Sequence, residues 1–176
     1  GMEKNVGKTT LLNKLIADIG KNKKLGLTSI GRDGEDIDVV TNTDKPRIYV
    51  RRGSIIATGR NCLTKCDITK EILYVTDFTT PMGSIVIVRA LSDGYVDIAG
   101  PSYNKQVKIV VELMEKFGSE ISIVDGALGR KSTAISDVSE ATILSTGAAL
   151  SLDMLKVVEE TKKTVYFLKL DEAEKN

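Results

Sequence analysis

The chain begins with ten residues, GMEKNVGKTT, in which glycine, lysine and threonine stand directly before an amphipathic segment. Apolar side chains then recur at the three- and four-residue spacing of one helix face, and a glycine ends the run. These positions are Leu11, Leu12, Leu15, Ile16, Ile19 and the terminating Gly20. A glycine-containing loop that leads into a helix directs backbone N–H groups at one point, where a phosphate binds. The opening therefore predicts a phosphate-binding loop followed by a helix.

Each residue type that phosphate chemistry requires is present in this loop. Gly7 lets backbone amides approach an anion, Lys8 can reach the β- and γ-phosphates, and the Thr9 hydroxyl can bind Mg²⁺. We therefore predict a nucleotide and Mg²⁺ as ligands, with Lys8 as a catalytic residue and Thr9 as a metal ligand. The predicted nucleotide-binding residues are Gly1, Asn5, Val6, Gly7, Lys8, Thr9 and Thr10.

The spacing of the loop departs from the common motif. Four residues normally separate the two glycines, which would require a glycine where Met2 stands, and Gly1 lies one residue earlier. A buried strand normally precedes such a loop, and no strand precedes this one. Gly1 and Met2 have the appearance of an expression-tag glycine before a start methionine. We therefore expect a missing first strand, a disordered or distorted loop over residues 1–7, no bound nucleotide, and a strand slot left open or filled by another chain.

Two acidic segments supply further catalytic or metal-binding candidates. Asp125 ends the apolar run EISIVD, and a carboxylate at the end of such a strand faces the Mg²⁺ of a phosphate-loop site. Asp33 and Glu35 lie in GRDGED, directly after the apolar run LGLTSIG. They could hold a metal-bound water, orient an attacking group or act as a nucleotide-sensitive switch. The alternative for this segment is a solvated acidic turn.

Composition excludes several classes of function. Histidine is absent, which removes imidazole catalysis, Ser-His-Asp triads and histidine metal sites. The 25 basic and 24 acidic side chains give a net charge of +1, so we expect neither nucleic acid nor a membrane as partner. With no apolar run of about 18 residues and no signal-peptide pattern, we expect a cytoplasmic protein. Cys62 and Cys66 are expected to be reduced, partly buried thiols, with a metal or redox pair as the alternative.

The rest of the chain predicts a single α/β domain over residues 1–176. The expected architecture is a mostly parallel sheet with flanking helices and an antiparallel, β-rich insertion at about residues 46–101. Within that insertion we expect hairpins that turn at Gly53 and at Asp93-Gly94, a short helix in NCLTKCD and a strand in EILYVTDF. Residues 104–117 carry the apolar stripe of a helix.

The last third of the sequence predicts strands that alternate with a helix. The apolar run ATILSTGA predicts a buried strand, and Ser151 is the expected N-cap of a helix that continues through Lys162. TVYFLKL, rich in β-branched and aromatic residues, predicts a final strand before a charged tail.

The loop and the strand-end acid together resemble those of dethiobiotin synthetase and its relatives. The spacing G-x-x-x-x-x-G-K-T has the extra residue of that family's loop, and IVDGALG resembles its V-E-G-A-G-G segment. The resemblance implies a P-loop NTPase fold in which Gly1, Gly7, Lys8, Thr9 and Asp125 bind nucleotide and Mg²⁺. The family's Lys-Pro pair is replaced here by Gly-Arg-Asp-Gly, so its carboxylation and ring closure are not implied.

A second resemblance covers more of the chain. The segments GSIIATG, TTPMGSIVIVRA, DIAGP, VDGALGRKS and ATILSTGAAL resemble uncharacterised P-loop proteins found with cobalamin-dependent aminomutases. This resemblance implies a nucleotide-driven chaperone or reactivating factor for a partner enzyme.

Three functions are consistent with these features. The first is Mg²⁺-dependent binding and hydrolysis of ATP, as an ATPase (a hydrolase) or an ATP-dependent ligase-like enzyme. The second is the nucleotide-switched chaperone, with its partner surface on the β-rich stretch, and the third is a non-enzymatic scaffold with a degenerate loop. ATP is chosen over GTP by resemblance, since no guanine-reading N-K-x-D tetrad occurs. A homodimer is compatible with all three.

Overall fold

A computed structural model describes residues 1–3, 5–31, 47–126 and 139–169, and the backbone alone of residues 37–38 and 43–44. Its elements begin and end with a helix, and most of the strands lie between the first α-helix and the second. In chain order they are α1 (Lys8–Ile19), β1 (Leu25–Ser29), β2 (Ile37–Asp38), β3 (Thr43–Asp44), β4 (Ile48–Val50), β5 (Ile55–Gly59), a 3-10 helix (Arg60–Lys65), β6 (Lys70–Thr80), β7 (Gly83–Ala90), β8 (Gly94–Val96), α2 (Asn104–Lys116), β9 (Ile121–Asp125) and α3 (Met154–Leu168).

The main sheet has five strands in the order β6-β7-β5-β1-β9. Its β5, β1 and β9 run parallel, whereas β7 pairs antiparallel with β5 and β6 antiparallel with β7. The register places Ser29 beside Asp125, so the carboxyl ends of β1 and β9 are level with each other. The α/β class is therefore present as a mixed sheet.

Helices cover both faces of this sheet because alternate strand residues point to opposite sides. On one face Leu12 and Ile16 of α1 pack against Leu27 and Ile56. On the other face Val110 and Met114 of α2 pack against a separate cluster, which contains Ile55, Ala57, Ile85 and Ile87. Burial of a leucine or isoleucine side chain contributes about 1.5–3 kcal/mol each, so these two faces hold the layers together.

The β-rich stretch forms part of the main sheet instead of a separate insertion. Strand β5 lies at the centre of the sheet, where it pairs in parallel with β1 on one side and antiparallel with β7 on the other. Strand β6 then pairs with β7 and forms the edge of the same sheet. Both predicted hairpins are wrong. The strands that flank Gly53 belong to different sheets, since β4 pairs with β8, and the same holds for the strands around Asp93-Gly94. The hairpin of this stretch joins β6 to β7, with Thr80 opposite Gly83.

Several local predictions in this region are confirmed. NCLTKCD contributes to the 3-10 helix, and EILYVTDF lies within β6. Neither cysteine forms a disulfide: Cys62 is buried, and the half-buried Cys66 donates from Sγ to the Cys62 carbonyl 3.2 Å away. Burial raises the pKa of the Cys66 thiol, which keeps the group protonated at neutral pH.

The C-terminal part differs most from the sequence prediction. Residues 141–147 form no strand, and most of TVYFLKL lies in α3, which continues through Leu168. Neither glycine nor proline interrupts this stretch, and the Thr164 hydroxyl donates to the Glu160 carbonyl in the helical i−4 direction. The N-cap is Asp153, whose carboxylate accepts from Leu155 N–H, while the Ser151 hydroxyl accepts from Asp153 N–H.

By its internal contacts the chain divides into two compact units. One contains the described residues of 1–8 and 141–169, and the other contains those of 9–126 with residues 139 and 140. Among the described residues, no helix is long and apolar enough to cross a membrane.

Candidate functional site

The predicted phosphate loop is closed by its own lysine. Lys8 begins α1, and its Nζ turns back to donate a hydrogen bond to the backbone carbonyl of Glu3, 2.7 Å away. The ammonium group therefore lies against the loop that it would serve. The prediction of a disordered or distorted loop over residues 1–7 stays a prediction, because the hydrogen bond of Lys8 describes only how the lysine side chain is placed.

Gly1, the predicted first glycine of the motif, lies against the side chains of Lys8 and Val6. A Cβ built on Gly1 would lie 2.7 Å from Cγ of Lys8 and 2.8 Å from Cγ2 of Val6, closer than carbon atoms normally approach. The Lys8 side chain therefore packs closely over Gly1, and it would have to move to admit a larger residue. Next along the chain, Met2 N–H donates to the Ser145 carbonyl at 2.8 Å and attaches the loop to the segment before α3.

Two residues of the loop have a positive φ. Asn5 has φ of 59° and Gly7 has φ of 80°, and Val6 between them does not have a positive φ. Positive φ values are a feature of nests, in which successive backbone N–H groups converge and bind an anion. Asn5 is the one described non-glycine residue with a positive φ, and asparagine tolerates this region better than most residues.

The two threonines after Lys8 lie in the first turn of α1. Thr9 is half-buried and Thr10 is exposed. The first turn of a helix has backbone N–H groups without intrahelical partners and the positive end of the helix dipole, both of which favour an anion. The sequence thus places a lysine and two hydroxyls at a helix N-terminus.

Asp125 belongs to the other compact unit and lies at the carboxyl end of β9. It is half-buried, and its backbone carbonyl accepts a hydrogen bond from Ile30 N–H at 2.8 Å. Carboxylate and hydroxyl oxygens are ligands that suit Mg²⁺, so the chemistry of Thr9 and Asp125 fits that metal. Asp33 and Glu35 lie outside the described residues. Within the described ranges, no group of three acidic or cysteine side chains gathers as a metal site.

Sequence reasoning missed one feature of this sheet edge. Residues 97–101, which we call the strap, run across the carboxyl ends of β1 and β5 and are fixed there by the hydroxyls of Ser29 and Thr58. Both hydroxyls are buried near the ends of mainly apolar strands, and a polar residue at such a position was the available signal.

Comparison with protein-family models, with curated proteins and with solved structures found no match to this chain, so its function is argued from the geometry of these residues.

Proposed function

We propose that this protein binds the phosphates of a magnesium-bound nucleotide, ATP, through the loop of residues 1–10, and hydrolyses it. The observation that carries the proposal is the hydrogen bond from Lys8 Nζ to the Glu3 carbonyl. That bond holds a cation against a loop in which Asn5 and Gly7 have a positive φ, a feature of the backbone nests that bind anions.

The chemistry of the loop follows from charge. A phosphate oxygen is a stronger acceptor for an ammonium group than a neutral carbonyl, because the phosphate carries a full negative charge whereas the carbonyl offers only a dipole. A bound nucleotide would therefore compete with Glu3 for Lys8. Lysine in that position neutralises charge on the β- and γ-phosphates, and the nest and the N-terminus of α1 supply further donors.

The metal and the attacking group are assigned from the sequence. We propose that Thr9 and Asp125 hold Mg²⁺ and that Asp33 or Glu35 places water or substrate. Mg²⁺ would polarise the γ-phosphate and offset charge that develops during transfer. ATP is preferred to GTP because of the resemblance and because the sequence has no N-K-x-D tetrad. Hydrolysis is preferred to ligation because the Lys-Pro pair of the dethiobiotin synthetase family is replaced by Gly-Arg-Asp-Gly.

Titration calorimetry with Mg-ATP and Mg-GTP tests the proposal. The variant is Lys8→Ala, and the control is the same substitution at another lysine of α1. Lys14 is exposed and forms an ion pair with Asp18, so Lys14→Ala removes an equal charge from α1 outside the loop. We expect Lys8→Ala to weaken Mg-ATP binding by about 10- to 100-fold, as for loss of a hydrogen bond to a charged group, with an unchanged melting temperature. Equal binding by Lys8→Ala and Lys14→Ala would contradict the proposal.

A nucleotide-switched partner protein is the second candidate, and β6 favours it. Three large apolar side chains of this edge strand are exposed: Ile72 by 63%, Val75 by 54% and Tyr74 by 45%. Exposed apolar residues grouped on one element are typical of a protein interface. We propose a partner enzyme, with a cobalamin-dependent aminomutase as the case that the resemblance implies.

Sedimentation with such an aminomutase, with and without Mg-ATP, tests this candidate. We expect co-sedimentation that depends on nucleotide and is lost in the double variant Ile72→Thr, Val75→Thr. Self-association of the chain alone would indicate a homodimer instead. A scaffold with a degenerate loop would show no rise in melting temperature with Mg-ATP, whereas ligand at 100 times its Kd adds about 2.7 kcal/mol to stability.

A further inference from the structure

The strap is held by two hydroxyls that act in the same way on neighbouring strands. Thr58 Oγ1 donates to the Asp97 carbonyl at 3.0 Å and accepts from Ala99 N–H at 2.9 Å. One residue further along the strap, Ser29 Oγ donates to the Ile98 carbonyl at 3.4 Å and accepts from Gly100 N–H at 2.9 Å. Each hydroxyl therefore makes the two hydrogen bonds to the strap backbone that a residue of a neighbouring strand would otherwise make.

Backbone hydrogen bonds join the strap to the residues that follow the two strands. Gly59 N–H donates to the Ala99 carbonyl at 2.9 Å, and Gly31 N–H donates to the Pro101 carbonyl at 2.9 Å. In parallel α/β sheets, ligands bind outside the carboxyl ends of the strands. Because the strap is bonded to those ends of β1 and β5, this part of the edge is already occupied by the protein's own chain.

The same residues connect the strap to Asp125. Ser29 and Gly31 are bonded to the strap, while Ile30 between them donates its N–H to the Asp125 carbonyl at 2.8 Å. In the sheet register Ser29 is also the direct neighbour of Asp125. The backbone of Asp125 is thus coupled to the strap through residues 29–31. Asp125 is bonded to Ile30, and the residues on either side of Ile30 are bonded to the strap.

We propose that Ser29 is a positioning residue for Asp125, and that it acts by fixing the strap and, through Ile30, the end of β9. The inference rests on the proposed function in one respect, the role of Asp125 as ligand of the nucleotide's Mg²⁺. Because the strap covers the carboxyl ends of β1 and β5, the end of β9 is the one that would receive a metal-bound phosphate. The Ser29 hydroxyl would then keep Asp125, at that end, in a fixed position.

The experiment compares Ser29→Ala with a variant that loses the same bonds elsewhere. Thr76 on β6 is also buried, and its hydroxyl donates to the Ile85 carbonyl and accepts from Phe78 N–H, so Thr76→Val is the matched control. Ser29→Thr retains a hydroxyl and serves as the rescue. Two measurements are made on each full-length variant: amide hydrogen exchange without nucleotide, and kcat and KM for Mg²⁺-dependent ATP turnover.

We expect Ser29→Ala to raise the exchange rates of Ile30, Gly31 and Gly100 about tenfold, as for loss of about one net hydrogen bond, and to lower kcat by a similar factor. KM should stay within about twofold, because the phosphate loop is unaltered. Ser29→Thr should restore both values, and Thr76→Val should change neither.

Unchanged exchange in Ser29→Ala, or an equal change in Thr76→Val, would overturn the inference. Faster exchange with an unchanged kcat would also overturn it, because the strap would then be fixed without positioning Asp125. If the wild-type protein neither binds nor turns over Mg-ATP, the proposed function fails. The exchange rates would then decide alone whether Ser29 fixes Ile30 and the end of β9.

Discussion

Gly100 packs directly on Ser29: a Cβ built on Gly100 would overlap the backbone carbonyl oxygen of Ser29 and crowd Oγ1 of Thr28. The strap can therefore cross β1 only with glycine at this position. Backbone atoms of a central strand cannot move aside as the end of a flexible side chain can, so the contact makes residue 100 a sensitive position in the fold.

Gly100→Ala should be strongly destabilising. We expect it to lower the free energy of unfolding by about 3 kcal/mol, because overpacking against backbone displaces the strap or the strand. Urea denaturation measures this loss. Gly147→Ala is the matched control, since a Cβ at Gly147 meets nothing within 4 Å, and it should change stability by less than about 0.5 kcal/mol. Similar midpoints for the two variants would contradict the described contact.

Gly1→Ala should impair nucleotide binding while leaving stability unchanged. The added Cβ would meet Cγ and Cδ of Lys8, and a lysine stem can move, so the fold is retained while the ammonium group shifts. We expect the Kd for Mg-ATP to rise about tenfold, or about 1.4 kcal/mol, with an unchanged melting temperature. Calorimetry on Gly1→Ala and Gly147→Ala provides the comparison. Unaltered affinity in Gly1→Ala would show that the position of the lysine stem has no effect on binding.

Val75 and Val86 provide a matched pair for the edge strand. They are cross-strand partners of the same residue type, but Val75 is 54% exposed and Val86 is 2% exposed. Val75→Thr should change the free energy of unfolding by less than about 0.5 kcal/mol, because β-branching is kept and little apolar surface is lost. Val86→Thr places a hydroxyl in the core and should cost about 1–3 kcal/mol. Equal losses in urea denaturation would refute the described burial.

Glu120 should contribute to stability in a pH-dependent way. The pKa of its carboxyl is lowered, first by the hydrogen bond from Lys24 N–H and then by that from the Lys23 ammonium group. A lowered pKa in the folded state means that the stabilisation is present above pH 4.5, the ordinary value, and is lost as pH falls through the folded-state pKa.

Urea midpoints of the wild type and Glu120→Gln measure this contribution. The difference between the two proteins should be larger at pH 6 than at pH 3, and salt should reduce it because the carboxyl is exposed. Glu112→Gln, an exposed position on α2, is the control. A difference that does not depend on pH would exclude the ionised carboxylate as its cause.

The sequence by itself determined the elements whose pattern is local. The spacing of apolar residues predicted α1 and α2, and the apolar runs before GRDGED and in EISIVD predicted β1 and β9. It also singled out the loop in which Gly7 has a positive φ and Lys8 donates to the Glu3 carbonyl. The hydrogen bonds of a helix or a tight loop are made within a few residues, so the residue types alone can specify them.

The tertiary structure decided which strands are neighbours. No local pattern indicated that β5 pairs with β1, that β4 pairs with β8, or that the hydroxyls of Ser29 and Thr58 hold the strap. For TVYFLKL the propensity favoured a strand, yet most of the segment continues α3. A strand or a strap is completed by hydrogen bonds to residues far along the chain, and the identity of that partner is fixed only when the whole core is packed.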